Sequence, residues 1–311
     1  MKGAGRDAVL TLPDGRRLSH RLFGDPDRPL LLYFGGLISS RLEPALYGDE
    51  RFFIVGVDRP GFGGSDFNPR QTAASFAEDI AALLRALGRP SCRIFTVSGG
   101  LAFALAVADA RPDLVERIGG FAGLSPFGSV ELPPCYIREF AGFVAKPWTL
   151  RLNCALRCLT YRLPAGLLRR LLLAQPWEHP MEKRALTTEA IAVLKDSFRE
   201  ALRPGTRGLL ADLVLSLGDW GGCDPRRVAT PLMLFHGRED TITPDVCTAW
   251  YAANLPNCEA RYFPGETHLS VPILHAAEMF DWLAKEPTKE PAARADHDVR
   301  RGCAPAALAR S

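Results

Sequence analysis

Thr96-Val97-Ser98-Gly99-Gly100 joins an apolar run, Arg93 to Val97, to a run of helical spacing, Leu101 to Ala110. A serine at the tip of a strained strand-to-helix turn projects its Oγ clear of a sheet, provided the residues two positions either side are small. Gly100 meets that requirement. Thr96 brings a β-branch and makes the turn more crowded. Taken alone, the same string describes a serine that merely caps the following helix. A nucleophilic serine also needs a base, and the base needs an orienting acid.

The chain has six histidines. His20 falls in a first hairpin, His275 within a final helix and His297 in a C-terminal tail. His236 ends a strand, a structural position, and His179 sits between Pro176 and Pro180. His268 alone follows a late strand directly, in Pro264-Gly265-Glu266-Thr267-His268, so it is the candidate base. The candidate acid is Asp240, in His236-Gly237-Arg238-Glu239-Asp240, after one strand and before a helix near Pro244. Glu239 is its rival, and a plain turn aspartate is the alternative role for Asp240.

The elements that must hold these residues follow from hydrophobic spacing. Residues 8–12 and 16–23 flank Pro13-Asp14-Gly15 and predict a hairpin. Leu30 to Phe34 and Phe52 to Val57 are unbroken apolar runs, suited to strands covered on both faces. Phe76, Ile80, Leu83, Leu84 and Leu87 recur at helical spacing, with Thr72 as N-cap and Gly88 beyond the end. Strands are expected at 93–97, 117–122, 231–236 and 259–263, with helices at 101–110, 245–254 and 269–285. This order predicts an α/β fold with a mostly parallel sheet. Ser98, Asp240 and His268 each follow the carboxyl end of a strand, where such sheets place ligands.

From Leu124 to Asp224 the alternation stops. Helices are expected at 136–146, 148–162, 166–174, 187–202 and 207–217, broken by prolines, with no strand. The predicted organisation is a core of residues 1–124 and 225–285, a helical cap of residues 125–224, and a disordered tail of residues 286–311.

Composition excludes several roles. With 311 residues, 47% hydrophobic and 23% charged, the chain can bury one core of ordinary size. Lys and Arg number 38 against 35 Asp and Glu, and a net charge of +3 argues for neither nucleic acid nor an anionic membrane as partner. The eight cysteines form no C-x-x-C and no zinc spacing with His, so they are expected to act as small hydrophobes with no metal. The opening MKGAGRDAVLTLPDG lacks the apolar run of a signal peptide, and Ile94 to Ala108 is too short to span a bilayer. A reduced, cytoplasmic location is expected.

The sequence resembles the α/β-hydrolase fold family over nearly all of residues 8–285. The chain order Ser98, Asp240, His268 is the order of that family. Asp58-Arg59-Pro60-Gly61-Phe62-Gly63-Gly64-Ser65 looks like its D-x-P-G-x-G-x-S loop, and Leu31 to Arg41 is similar to its strand and oxyanion loop, which usually reads H-G-x-x-G-S-R. Gly237-x-x-Asp240-x-x-x-Pro244 and Gly265-x-x-His268 resemble its acid and histidine loops. The resemblance implies an esterase-like serine hydrolase without cofactor, acting on an ester, lactone or similar small acyl substrate. Ser98 would be the nucleophile, His268 the base and Asp240 the acid, with backbone N–H of Gly99 and of Leu37 or Gly36 meeting the oxyanion. A serine nucleophile argues against the dehalogenase and epoxide-hydrolase branches, which use Asp there. Gly35 stands where the family commonly has His, which is expected to leave the oxyanion loop freer.

In the expected cap, Arg151, Arg157, Arg162, Arg169 and Arg170 interleave with leucines. A basic amphipathic helix can lie on a membrane or recruit an acidic partner; a lid with a solvated Arg face and a Leu face toward the pocket is preferred, because Pro147 and Pro164 break the stretch into ordinary cap helices. Phe127, Phe140, Phe143, Trp148 and Trp177 could line an apolar pocket or simply pack. Rivals with the same fold are a carbon–carbon bond hydrolase, an amidase and a cofactor-free peroxidase; a non-catalytic binding protein is the rival from another class.

Overall fold

A computed structural model describes residues 5–133, 142–173, 180–218 and 222–286. Its centre is an eight-stranded sheet: β1 (Arg6–Thr11), β2 (Arg17–Phe23), β3 (Leu30–Phe34), β4 (Phe53–Val57), β5 (Cys92–Val97), β6 (Val115–Phe121), β7 (Leu232–Gly237) and β8 (Cys258–Phe263). The spatial order is β1-β2-β4-β3-β5-β6-β7-β8. β1 and β2 form the antiparallel hairpin predicted around Pro13-Asp14-Gly15, and β2 pairs antiparallel with β4. The strands from β3 to β8 are mutually parallel. This is the expected α/β-hydrolase architecture.

The unbroken apolar runs do lie at the centre: every residue of β3, β4 and β5 is buried. One face carries α1 (Ala73–Ala86) and α2 (Gly100–Ala110), which contribute Phe76, Ile80, Leu83 and Leu101 to the core. Thr72 caps α1 as predicted, in a reciprocal capping box with Ser75. The other face is aromatic, with Tyr33, Phe95, Phe121 and Phe235 packed against Phe280 and its neighbours.

Between β6 and β7 the described residues hold helices and loops and no strand. The helices are α3 (Pro147–Thr160), α4 (Ala165–Leu172), α5 (Pro180–Ala185), α6 (Thr188–Ala201) and α7 (Arg207–Leu217). Of the helix expected at 136–146, residues 142–145 are helical and 134–141 lie outside the described residues. After β7 come α8 (Val246–Asn254) and, after β8, two helices where one was expected: α9 (Ser270–Leu274) and α10 (Ala276–Leu283), parted at His275 with φ −114° and ψ 13°. The tail from 287 onward, with His297 and Cys303, lies outside the described residues, as do Cys135, Phe140, Trp177 and His179.

The leucines of the insert depart from expectation. Leu150, Cys154 and Leu168 are buried, but Leu152, Leu156, Leu159 and Leu167 are exposed, as are Phe127 and Trp148. α3 packs through Leu150 and Cys154, one turn apart, and helical geometry sends Leu152, Leu156 and Leu159 to the outside. Of the five aromatics considered for a pocket, Phe143 packs against the cluster containing Leu150, Cys154 and Phe198.

Candidate active site

Because the strands from β3 to β8 are parallel, the loops after β3, β4, β5, β7 and β8 leave the same edge of the sheet. Ser98 occupies the turn between β5 and α2 with φ +54°, the left-handed region that a residue bearing a Cβ rarely adopts. Its N–H donates to the Phe121 carbonyl at 2.7 Å, and its own carbonyl accepts from Leu101. A Cβ on Gly100 would stand 2.1 Å from the Phe34 carbonyl oxygen, so α2 starts against β3 only because that side chain is missing. The branch of Thr96 is accommodated. Its hydroxyl donates to the Phe34 carbonyl at 2.9 Å, and its methyl lies toward Gly120, which has no side chain to meet it.

Asp240 and His268 are brought together from loops 28 residues apart, with His268 Nδ1 at 2.7 Å from Asp240 Oδ2. Glu239 and Arg238 bind the His268 loop through backbone N–H groups, to Glu266 and Phe263 carbonyls respectively. Asp240 is buried and Glu239 exposed, which separates the two acids. The other oxygen of Asp240, Oδ1, accepts from the N–H groups of Ile242 and Thr243, each at 2.8 Å.

His236, read as structural, also lies against the candidate acid Asp240. Its Nε2 faces the Thr243 carbonyl at 2.8 Å, which can only accept, so that nitrogen carries a proton. The same nitrogen lies 3.3 Å from Asp240 Oδ2, while Thr248 Oγ1 is 2.7 Å from Nδ1. Burial alone would push the Asp240 carboxyl upward. Electrostatic attraction to the His268 and His236 rings and the hydrogen bonds they donate outweigh it, and hold Asp240 well below the ordinary carboxylate range.

On the far side of Ser98, the loop after β3 comes close. A Cβ placed on Gly36 would lie 3.5 Å from Ser98 Cβ and 3.9 Å from its Oγ, and one on Gly99 would lie 3.6 Å from the Leu37 nitrogen. Ser98, Gly99, Gly36 and Leu37 therefore form one cluster. Among the described residues no group of three or more His, Cys, Asp or Glu is placed to hold a metal ion.

The alpha/beta hydrolase family model matches residues 21–282. The chain belongs to the alpha/beta hydrolase family. Similar solved structures include a hydrolase from Pseudomonas aeruginosa PA01, 22% identical, covering 90% of this chain and 98% of that one with a TM-score of 0.63. An esterase, RhEst1 from Rhodococcus sp. ECU1013, is 18% identical over 90% of this chain and 98% of its own, with a TM-score of 0.62. The epoxide hydrolase CorEH is 19% identical over 90% and 97%, with a TM-score of 0.66. At these identities the likeness is one of fold. No curated protein matches the sequence.

Gly35 stands where the resemblance leads one to expect a histidine, and the loop after β3 was expected to be freer for it; in this hydrolase the loop is nevertheless tied down. Arg59, from the Asp58-Arg59-Pro60-Gly61 string, is 2% exposed and donates to the carbonyls of Gly35 and Gly36 at 2.7 Å and of Leu37 at 3.2 Å. Its Nε donates to Asp212 of α7 at 2.7 Å, and its guanidinium lies over the rings of Phe62 and Phe103. A Cβ at Gly35 would stand 1.9 Å from Ser39 Oγ and 2.5 Å from its Cβ, so a side chain there would require Ser39 to move. The anchor is supplied from the β4 loop instead. Burial pushes the Asp212 carboxyl up to about 6 against the opposing pull of Arg59.

This arrangement carries a prediction. Arg59→Met removes three carbonyl bonds and strands a buried carboxylate, so it should cost about 3–5 kcal/mol of stability and lower kcat by about 100-fold through misplacement of the loop. Adding Asp212→Leu should restore most of the melting temperature without restoring kcat. Full recovery of kcat in the double variant would show that the loop needs no anchor.

Proposed function

We propose that this hydrolase is a cofactor-independent serine esterase that cleaves an ester, lactone or related acyl compound through an acyl-enzyme. The reading rests above all on one observation: a serine held at φ +54° between β5 and α2, on the sheet edge that also carries the buried His268–Asp240 pair. His268 donates its Nδ1 proton to Asp240, which leaves Nε2 unprotonated and able to accept the Ser98 hydroxyl proton. Ser98 Oγ then adds to the acyl carbonyl. The negative charge that forms on the carbonyl oxygen is met by the N–H groups of Gly99 and Leu37. Donors of this kind contribute roughly 3–4 kcal/mol each. Collapse expels the alcohol, which takes the proton from His268 Nε2, and water repeats the sequence to release the acid and free Ser98.

The insert serves as a cap in this reading. Leu150, Phe198 and Phe143 pack in one cluster with Leu37 and Ile38 of the oxyanion loop, which supports a largely apolar acyl group. A cytoplasmic setting fits a chain whose described helices include none long and apolar enough to cross a membrane. A panel of short and medium-chain esters, lactones, amides and epoxides tests the substrate class. Hydrolysis of apolar acyl esters is expected, with slower or no cleavage of amides and none of epoxides. A folded protein that opens epoxides and leaves every ester intact would contradict the proposal.

A further inference from the structure

We propose that the outer face of α3 docks on an anionic phospholipid surface. Trp148, Leu152, Leu156 and Leu159 are spaced four, four and three residues apart, so they form one stripe. They are 64%, 53%, 58% and 62% exposed. The helix is seated by the opposite side, where Leu150 and Cys154 are buried. A 14-residue helix with an apolar stripe that includes tryptophan has the composition of one that lies in a bilayer interface rather than across it.

Charge selects the partner. Residues 140–177 contain Lys146, Arg151, Arg157, Arg162, Arg169 and Arg170 and not one Asp or Glu. The whole chain carries 38 − 35 = +3, so the remainder carries 32 − 35 = −3, and the balanced total conceals a strongly basic segment. Among the described residues no ion pair involves Lys146, Arg151, Arg162 or Arg170. Helical spacing places Arg151 along one border of the stripe, and Arg162 follows just past the end of α3. From there their long stems can lie on apolar surface while the heads reach phosphates. A second copy of the chain would bring the same basic face against itself with no acidic residue to answer it, which disfavours self-association. A lipid surface offers both the anions and the apolar layer.

The expectation that no membrane is involved came from the total charge, from the lack of a spanning segment and from Pro147 and Pro164 breaking the stretch into lid helices with leucines toward the pocket. The total charge conceals the basic segment, and the fold turns Leu152, Leu156 and Leu159 outward. The same helix turns Leu150 toward the cluster containing Leu37, so docking would place the candidate site beside the bilayer.

Vesicle flotation of the full chain tests this without any substrate, so its failure would leave the serine reading untouched. Phosphatidylcholine vesicles containing phosphatidylglycerol should carry the protein at low salt, pure phosphatidylcholine should not, and high salt should release it. Arg151→Gln with Arg162→Gln, and separately Leu152→Gln with Leu156→Gln, should each weaken binding at least about 10-fold. All four positions are exposed, so the variants are expected to fold. In the wild type, Trp148 emission should shift to the blue on anionic vesicles, and the shift should be missing from Trp148→Phe. Absence of binding to anionic vesicles, equal binding to neutral ones, or binding unaffected by both double variants would each overturn the proposal. So would dimerisation abolished by the leucine variant, or capture only by an acidic protein.

Discussion

Ser98→Ala is expected to lower kcat on the best ester by about 10⁶-fold, and His268→Ala by a similar factor, with the double variant little worse than either. In the proposed mechanism the two side chains act on one proton, so removing either ends the same step. Ser98→Gly separates chemistry from folding. It should be equally inactive, yet more stable than Ser98→Ala by about 1 kcal/mol, because glycine adopts φ +54° without the penalty that any Cβ incurs. Thermal melting alongside ester kinetics checks both parts. A Ser98→Ala protein that keeps its turnover would place the nucleophile elsewhere.

Asp240→Asn should lower kcat by about 10⁴-fold while Glu239→Gln stays within about two-fold of wild type. The hydrogen bonds explain the asymmetry. Oδ1 of Asp240 accepts from the Ile242 and Thr243 N–H groups, so an asparagine must direct its carbonyl oxygen there. Its NH₂ then faces His268 Nδ1 and the protonated Nε2 of His236. Two donors meet at His236, and His268 is driven to carry its proton on Nε2, where it can no longer accept one from Ser98. Glu239 is exposed and takes no part in this network. Reversed results for the two variants would move the acid to Glu239.

The parallel core was legible in the sequence because residues buried on both faces leave unbroken apolar runs, as in β3, β4 and β5. Asp240 and His268 were legible because each follows a strand in a short glycine-containing loop. Arg59 was not. It sits inside the most recognisable string of the chain, but its partners are backbone carbonyls and an aspartate 153 residues away, and neither leaves a local pattern. His236 had a weak signal, since it lies four residues before Asp240 at the end of a strand. The orientation of α3 was hidden for a different reason. Leu150 and Cys154 on one side and Leu152, Leu156 and Leu159 on the other make the helix apolar in two directions, and only packing shows which side is covered. The break at His275 has no proline or glycine at that position to announce it.

Reaction of the wild-type protein with a fluorophosphonate, followed by intact mass and peptide mapping, shows whether Ser98 is the nucleophile. A single adduct on Ser98 is predicted, absent from Ser98→Ala and from His268→Ala. A folded wild-type protein that takes no label, or carries its adduct on another residue, would mean that Ser98 is not an activated nucleophile.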